Sequence, residues 1–267
     1  MMRAALLMLF IGLNCCLPVS ARFTPPAAAA VFLFIGLNCC LPVSAAGIDG
    51  LLEKVAIAYG GETARQGAKG MRQKGVTYSN MRQMEGRILR AYQAPDRLRV
   101  EIKYPDAEEI RILNGPHAWK QEQPMTGPFH GALVLQAARL ALPWNLLEAR
   151  DRLRDLGTKK LGGDQELHVL ELPLGSGLVM EVGIEPESGR ITRSLGKVAG
   201  SMGVMEFGTA YEDFRTQDGR LYAATEQHFA IGQPTGTTRI DHVEFLEALP
   251  ESLFTPPGPE SRSLQHI

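Results

Sequence analysis

The sequence predicts an α+β fold: one strongly curved antiparallel sheet with helices segregated onto its concave side. Three observations carry this. Short runs of alternating apolar and polar residues recur through most of the chain, separated by turn signals such as Asn114–Gly115 and Asp218–Gly219. Successive hairpins of this kind favour one antiparallel sheet. A stretch at 131–156 breaks the alternation and puts apolar residues at helical spacing instead. Helices set into the middle of a meander must bury their apolar stripe, and the apolar face of the sheet is the available surface.

The first 45 residues stand apart. Arg3, an apolar stretch and Val19–Ser20–Ala21 have the layout of a secretory signal peptide. Residues 9–21 read LFIGLNCCLPVSA, and residues 33–45 repeat all 13 letters at an offset of 24. Such identity points to a recent duplication of the leader or to a start-site artefact. Cleavage after Ala45 or Ala46 is the expectation, giving a leader at 1–45 and a single domain at 46–267 with an extended Pro-rich tail. The alternative is a retained anchor. Residues 27–45 are 19 residues without a charge, near the ~20 a spanning helix needs. Pro42 and the small residues after it favour cleavage. All four cysteines fall in this segment. Beyond it lie 222 of the 267 residues, with 26 basic side chains against 29 acidic ones. A disulfide scaffold and a Cys-ligated metal are thereby excluded from the domain. A strongly basic nucleic-acid binder does not fit the charge. Export without a retained thiol points to a periplasmic location.

Along the domain, Asp49 can cap a first helix over 49–60, where Leu51, Leu52, Val55 and Ala58 repeat at helical spacing and Gly60–Gly61 supply the stop. A short helical piece follows at 62–66. Strands are expected at 85–92 and 97–104. The second alternates charges with Leu98, Val100, Ile102 and Tyr104, which gives one wet face and one apolar face. The strand at 109–113 is read with Ile110 and Ile112 inward. Asn114–Gly115 turns the chain into 118–122. Leu133, Ala137 and Leu140 then mark a helix over 131–142. Pro143–Trp144 interrupts it, and Asn145 can cap a second helix running through Leu146, Leu147, Arg150 and Leu153 to Gly157. Strands resume at 167–172, 179–184, 191–195, 205–214, 220–231 and 237–245.

The order of these pieces resembles the LolA/LolB-like superfamily of lipoprotein-sorting proteins. The resemblance spans about 49–257. It is carried by Ala58–Tyr59–Gly60–Gly61, by Ala94–Pro95–Asp96–Arg97–Leu98–Arg99, and by Asn114–Gly115 with Trp119 just after. The stretch 140–147 and Phe254–Thr255–Pro256–Pro257 complete it. It implies an unclosed half-barrel whose apolar concave face is covered by helices, and a function in binding acyl chains. The duplicated leader departs from that pattern. No functional residue of the family can be matched, so none is transferred.

Such a role makes physical demands. Burying one CH₂ is worth about 0.8 kcal/mol, so a chain of ~14 such groups is held by roughly 11 kcal/mol. A carrier must offer a comparable apolar cavity and then release the load. The expected cavity lining is Leu98, Val100, Ile102, Ile110, Ile112, Phe207, Tyr211 and Phe229. The expected lid is Leu133, Leu140, Trp144, Leu146 and Leu147, hinged at 142–145. The plain alternative is that these residues fill a core. The partner implied is an acylated lipoprotein or a lipid, with transient contact to an envelope protein or membrane surface. A non-enzymatic envelope lipid sensor is the alternative function.

Signals for chemistry are weak. No HExxH, nucleophile elbow, P-loop or dinucleotide fingerprint occurs among these residues. His228 and His242 lie on neighbouring expected strands and could meet. Asp106 and Glu108 are the remaining carboxylate pair for a hydrolase. The expectation is no enzyme, no catalytic residue, no metal and no cofactor. The mixed run 150–155 is read as a solvated helix face.

Overall fold

A computed structural model describes residues 44–200 and 203–256. The leader and its two readings, Ser201 and Met202, His266 and the tail from Pro257 onward lie outside the described residues. Among the described residues, no helix is long and apolar enough to cross a membrane.

The chain opens with α1 (Ser44–Ala58) and α2 (Gly61–Gly67). Six strands follow as a meander: β1 (Gly70–Ser79), β2 (Met84–Gln93), β3 (Arg97–Lys103), β4 (Glu108–Asn114), β5 (His117–Lys120) and β6 (Gln123–Pro124). Then come α3 (Gly127–Leu140), α4 (Trp144–Glu148) and a 3-10 turn at Arg150–Arg152. A second meander comprises β7 (Arg154–Lys160), β8 (Glu166–Gly175), β9 (Leu178–Ile184), β10 (Ile191–Gly200), β11 (Gly203–Gln217), β12 (Arg220–Ala230) and β13 (Gln233–Leu246). A 3-10 turn at Glu251–Phe254 ends the described chain.

The two meanders join through antiparallel pairing of β1 with β13. The result is one unclosed sheet of 13 strands in the order β6-β5-β4-β3-β2-β1-β13-β12-β11-β10-β9-β8-β7. The segment between β6 and β7 therefore links the two edges of the sheet. Laid flat, those edges would stand twelve inter-strand spacings apart, roughly 57 Å. A 14-residue helix spans only about 21 Å. The sheet curls instead, and α3 packs inside it against β4 and β5 on one side and β10 on the other.

The concave face has two apolar wings. Leu98, Val100 and Ile102 of β3, with Ile88 and Tyr92 of β2, pack with Leu133, Ala137 and Ala141. On the far wing, Leu170, Met180, Val182 and Ile184 pack with Leu51, Leu52 and Val55 of α1, Leu135 of α3 and Leu146 of α4.

Several expectations require correction. The strand at β1 carries no clean alternation and was not foreseen. The second helix stops at Glu148, and Arg154 already pairs with Glu171 in the edge ladder. The 150–155 run is thus a turn and a strand start, not a helix face. Its Arg154 Nη2 donates to Glu171 Oε2 at 2.7 Å. Asn145 is not a cap of α4, because Pro143 holds that position. The Asn145 amide instead donates to Ala138 O at 2.8 Å and ties the corner back to α3.

The middle of the charged face of β3 is not wet. Arg99 and Glu101 are buried, paired through Arg99 Nε to Glu101 Oε1 at 2.7 Å. The C-terminal segment covers them: Arg99 Nη1 donates to Leu253 O, and Asn114 Nδ2 donates to Phe254 O. Strand β4 is also inverted from its expected sense. Leu98 lies opposite Leu113 and Val100 opposite Arg111. Glu109, Arg111 and Leu113 therefore face α3, while Ile110 and Ile112 face the convex side. The connection 104–107 sets this parity, and a shift of one residue would flip every side chain of the strand. Ile112 is still fully buried, because the segment ending at Phe254 makes the convex face here an interior.

Candidate functional site

Helix α3 is seated by a match of two periods. Its residues 131, 135 and 139 lie over 198, 196 and 194 of β10. Four helical residues rise about 6 Å and two strand residues about 6.6 Å, so the rows stay in step. Gly131 sits against Val198, where a Cβ would fall 2.8 Å from Val198 Cγ1. Leu135 fills the space over Gly196, where a Cβ would stand 2.4 Å from its methyls. Arg139 completes the row: its Nε donates to Ser194 Oγ at 3.1 Å and its Nη2 to Phe207 O at 2.6 Å.

Beyond Arg139 the helix ends, and a cavity of about 390 Å³ opens beneath the corner. Leu140, Leu142, Pro143 and Trp144 line it from the corner. Met71, Tyr92, Phe214, Leu221, Tyr222 and Phe245 line it from the sheet, and Tyr59 from α1. Arg65, Lys69, Arg220 and Glu148 add charge to its wall. Asn145 Oδ1, also on the wall, is buried and has no hydrogen-bond partner among the described residues. A second cavity of about 210 Å³ lies under α3. Arg139, Leu140, Tyr211 and Glu226 line both, so the two compartments share a wall.

Charged and polar side chains make up most of the residues around the smaller cavity. Arg90, Arg111 and Arg139 contribute guanidinium groups, and Gln136, Thr209, Tyr211, Glu226 and His228 complete most of the lining. Arg90 is clamped in a bidentate pair with Glu226 at 2.9 and 2.8 Å and also donates to Gln73. Burial alone would raise the Glu226 carboxyl. The charge and hydrogen bonds of Arg90 overcome that and hold it below the usual carboxylate range. Arg111 pairs with Glu109 at 3.1 Å. Burial pushes Tyr211 up to about 12, with Arg139 opposing. Its hydroxyl shares a hydrogen bond with Ser194 Oγ at 2.9 Å.

His228 is held neutral. Burial is the main cause and lowers it to about 4; Glu226 opposes, while Arg90, Arg139 and Arg111 add to the lowering. Its Nε2 lies 2.9 Å from Thr238 Oγ1. The sign for stability follows. Between about pH 6.5 and 4 the unfolded chain binds a proton at this site and the native chain does not, so stability falls with falling pH across that window. The loss is about 2–3 kcal/mol for this one group. Carboxylates whose values are lowered, such as Glu226, lose their contribution only below the usual carboxylate range. Urea midpoints at pH 7 and pH 5 should therefore differ more in the parent than in His228→Gln. Equal pH slopes in the two proteins would contradict the assignment.

The residues foreseen from sequence divide among these features. Phe207 and Tyr211 line the smaller cavity, and Tyr211 the larger one too; Leu140 and Trp144 line the larger. Leu98, Val100 and Ile102 face α3 but pack directly against it and line neither cavity. Ile110, Ile112 and Phe229 face the convex side; Phe229 lies opposite Gly208, over the same surface as Leu195. Leu133 in one apolar wing and Leu146 in the other are buried anchors of α3 and α4, and Leu147 packs at the edge of the core around Leu146. His228 and His242 do not meet, since His228 stands opposite Gly236 and His242 opposite Lys74. Asp106 lies 3.7 Å from Arg82 in an exposed ion pair.

Sequence reasoning missed the arginines. Arg111 was assigned outward because its isoleucine neighbours were assigned inward. Arg90 sits in a strand whose alternation was too weak to assign a face. The available signal was charge complementarity between Arg90 and Glu226, but 136 positions separate them.

No family model matches the chain, and no curated protein does. Solved structures do. A LolA superfamily protein from Nitrosomonas europaea aligns with a TM-score of 0.49 and 15% identity over 78% of this chain and 97% of that one. A DUF1329 family protein from Desulfovibrio piger aligns with a TM-score of 0.49 and 9% identity over 79% of this chain and 96% of that one. The chain is similar to these proteins in its unclosed antiparallel sheet with a few helices.

Proposed function

We propose that the protein is a carrier that holds the acyl chain of a lipoprotein or lipid in the larger cavity. The observation that supports this is the lining under the 140–145 corner. Apolar and aromatic side chains from the helix corner and from the sheet face each other across open space instead of packing together. The volume lies within the ~300–1,000 Å³ range of small-molecule sites. Each methylene placed there contributes about 0.8 kcal/mol, which competes with a membrane only when many are enclosed. Trp144, half-buried in the wall, is the side chain best placed to swing as a chain enters. The corner backbone is pinned by Asn145 and Leu146, so of the expected lid residues Leu140 and Trp144 are the ones left at the cavity to move.

Solvent extraction of the purified protein followed by mass spectrometry tests this. Acyl species at near-stoichiometric amounts are the expected result. In a Trp119→Phe background, Trp144 emission should shift to shorter wavelength when lipid is added. Purified protein that yields no acyl species and shows no spectral change with any lipid would end the carrier reading.

The same reading places the protein in the periplasm, cut free of residues 1–45. Helix α1 begins at Ser44, so a cut after Ala45 would remove only its first two residues and leave Leu51, Leu52 and Val55 docked. N-terminal sequencing of the exported form should begin near residue 46. A start before residue 40 would favour the retained anchor.

A further inference from the structure

We infer that the smaller cavity is an anion subsite: it binds the compact negative headgroup, carboxylate or phosphate monoester, of a single-chain amphiphile whose tail lies in the larger cavity. The inference rests on the carrier reading and adds a ligand class to it.

The first support is a charge count. Three guanidinium groups line the cavity. Glu226 neutralises Arg90 and Glu109 neutralises Arg111. Among the described residues, Arg139 has no carboxylate partner. Its hydrogen-bond acceptors are a hydroxyl and a backbone carbonyl. His228 is neutral and does not change the count at neutral pH. One positive charge is left over in a partly enclosed site, and the more such a charge is taken from water the more it costs unless an anion accompanies it.

The second support is independent of charge. Thr209 is 3% exposed, lines the cavity, and its hydroxyl has no partner among the described residues. Arg90 Nε is likewise buried and unpartnered. Buried donors without acceptors are rare, and here two belong to side chains that line the cavity together with Arg139. A headgroup with two or three acceptor oxygens would satisfy them.

The third support is position. Arg139 lies on the wall common to both cavities. A headgroup bound to it leaves a tail free to run under Leu140 and Trp144. Glu148, on the wall of the larger cavity, does not pair with Arg139. A guanidinium at the inner end and an apolar roof beyond it suit a chain with one compact charge better than a neutral one.

The test is isothermal titration of the full chain at neutral pH with oleic acid, oleyl phosphate and oleyl alcohol. A hydrogen bond to a charged group is worth about 1.5–3 kcal/mol, so the two anions should bind about tenfold or more tighter than the alcohol. Arg139→Lys should keep part of that preference and Arg139→Gln should erase it. Arg139 also braces α3, so Arg139→Gln could lose its fold. Thr209→Val replaces a hydroxyl without a partner and should fold like the parent. It should weaken the anions several-fold and leave the alcohol unchanged. Equal binding of acid and alcohol by the parent would overturn the subsite while leaving the carrier reading in place. So would an anion preference that survives both Arg139→Gln and Thr209→Val. Binding of none of the three would overturn the carrier reading and the subsite with it. Stabilisation by inorganic phosphate alone, dependent on Arg139, with no amphiphile bound, would assign the cavity to a free anion and overturn the amphiphile.

Discussion

Replacing Glu226 by leucine should cost about 3–5 kcal/mol of stability, because it leaves a buried guanidinium without its counter-charge. The two side chains are 3% and 11% exposed and meet at 2.8 Å. With Glu226 gone, Arg90 keeps only Gln73 at 3.3 Å and borders the same cavity as Arg111 and Arg139. Loss of the carboxylate would leave two guanidinium groups at one cavity, those of Arg90 and Arg139, without a counter-charge. Against a typical total of about 5–15 kcal/mol for a domain, that is a large fraction. Urea unfolding followed by circular dichroism measures it. The double variant Arg90→Met/Glu226→Leu removes both charges and fits apolar groups into the same space. It should recover most of the loss, since a buried pair is worth little over apolar residues of similar volume. A single variant within 1 kcal/mol of the parent would mean that water reaches Arg90 freely through the cavity. The charge argument for the anion subsite would then weaken as well.

Phe254→Ala should cost a similar amount, about 3–5 kcal/mol, on the opposite face of the sheet. Phe254 is fully buried and packs with Ala91, Leu249 and Leu253. Arg97 stacks over its ring at 5.4 Å. The segment also supplies the carbonyls that accept from Arg99 and Asn114. Detaching it would expose the Arg99–Glu101 pair and Ile112 together, so the effect exceeds that of one cavity in a core. Hydrogen exchange should show β3 and β4 losing protection before β8–β10. A variant with the parent's stability and unchanged exchange in β3 and β4 would show that the segment lies on the sheet without holding it.

The two predictions address opposite faces of one sheet, and the sequence shows why both faces matter. Alternation and turn signals together made ten of the strands legible, including all of the second meander after β7. The break at 131–156 placed the helices against the sheet, because a helix with an apolar stripe has nowhere else to bury it. Asn114–Gly115 and Asp218–Gly219 marked two hairpins directly, and both Asp218 and Gly219 have the positive φ such a turn needs.

A period of two says that a strand has two faces and not which of them is interior. In β3 the apolar face did turn toward the helices. In β4 the choice depended on the four residues connecting it to β3, and the isoleucines turned away toward a surface that the C-terminal segment seals. Strand β7 was hidden because Arg154 and Asp155 continue a helix-like charge pattern, and only pairing with β8 makes them a strand.

The centre of the concave face was the least legible part. Gln73, Arg90, Thr209, Glu226 and Thr238 read individually as solvent-facing polar residues, since a lone buried charge is prohibitive. They became interior together, when closure of β1 on β13 brought Arg90 to Glu226 and let each offset the other's desolvation. Local pattern determined the elements. Register and the closing of two meanders into one sheet decided which side chains line the cavities, because those depend on pairings across more than a hundred residues that no local window contains.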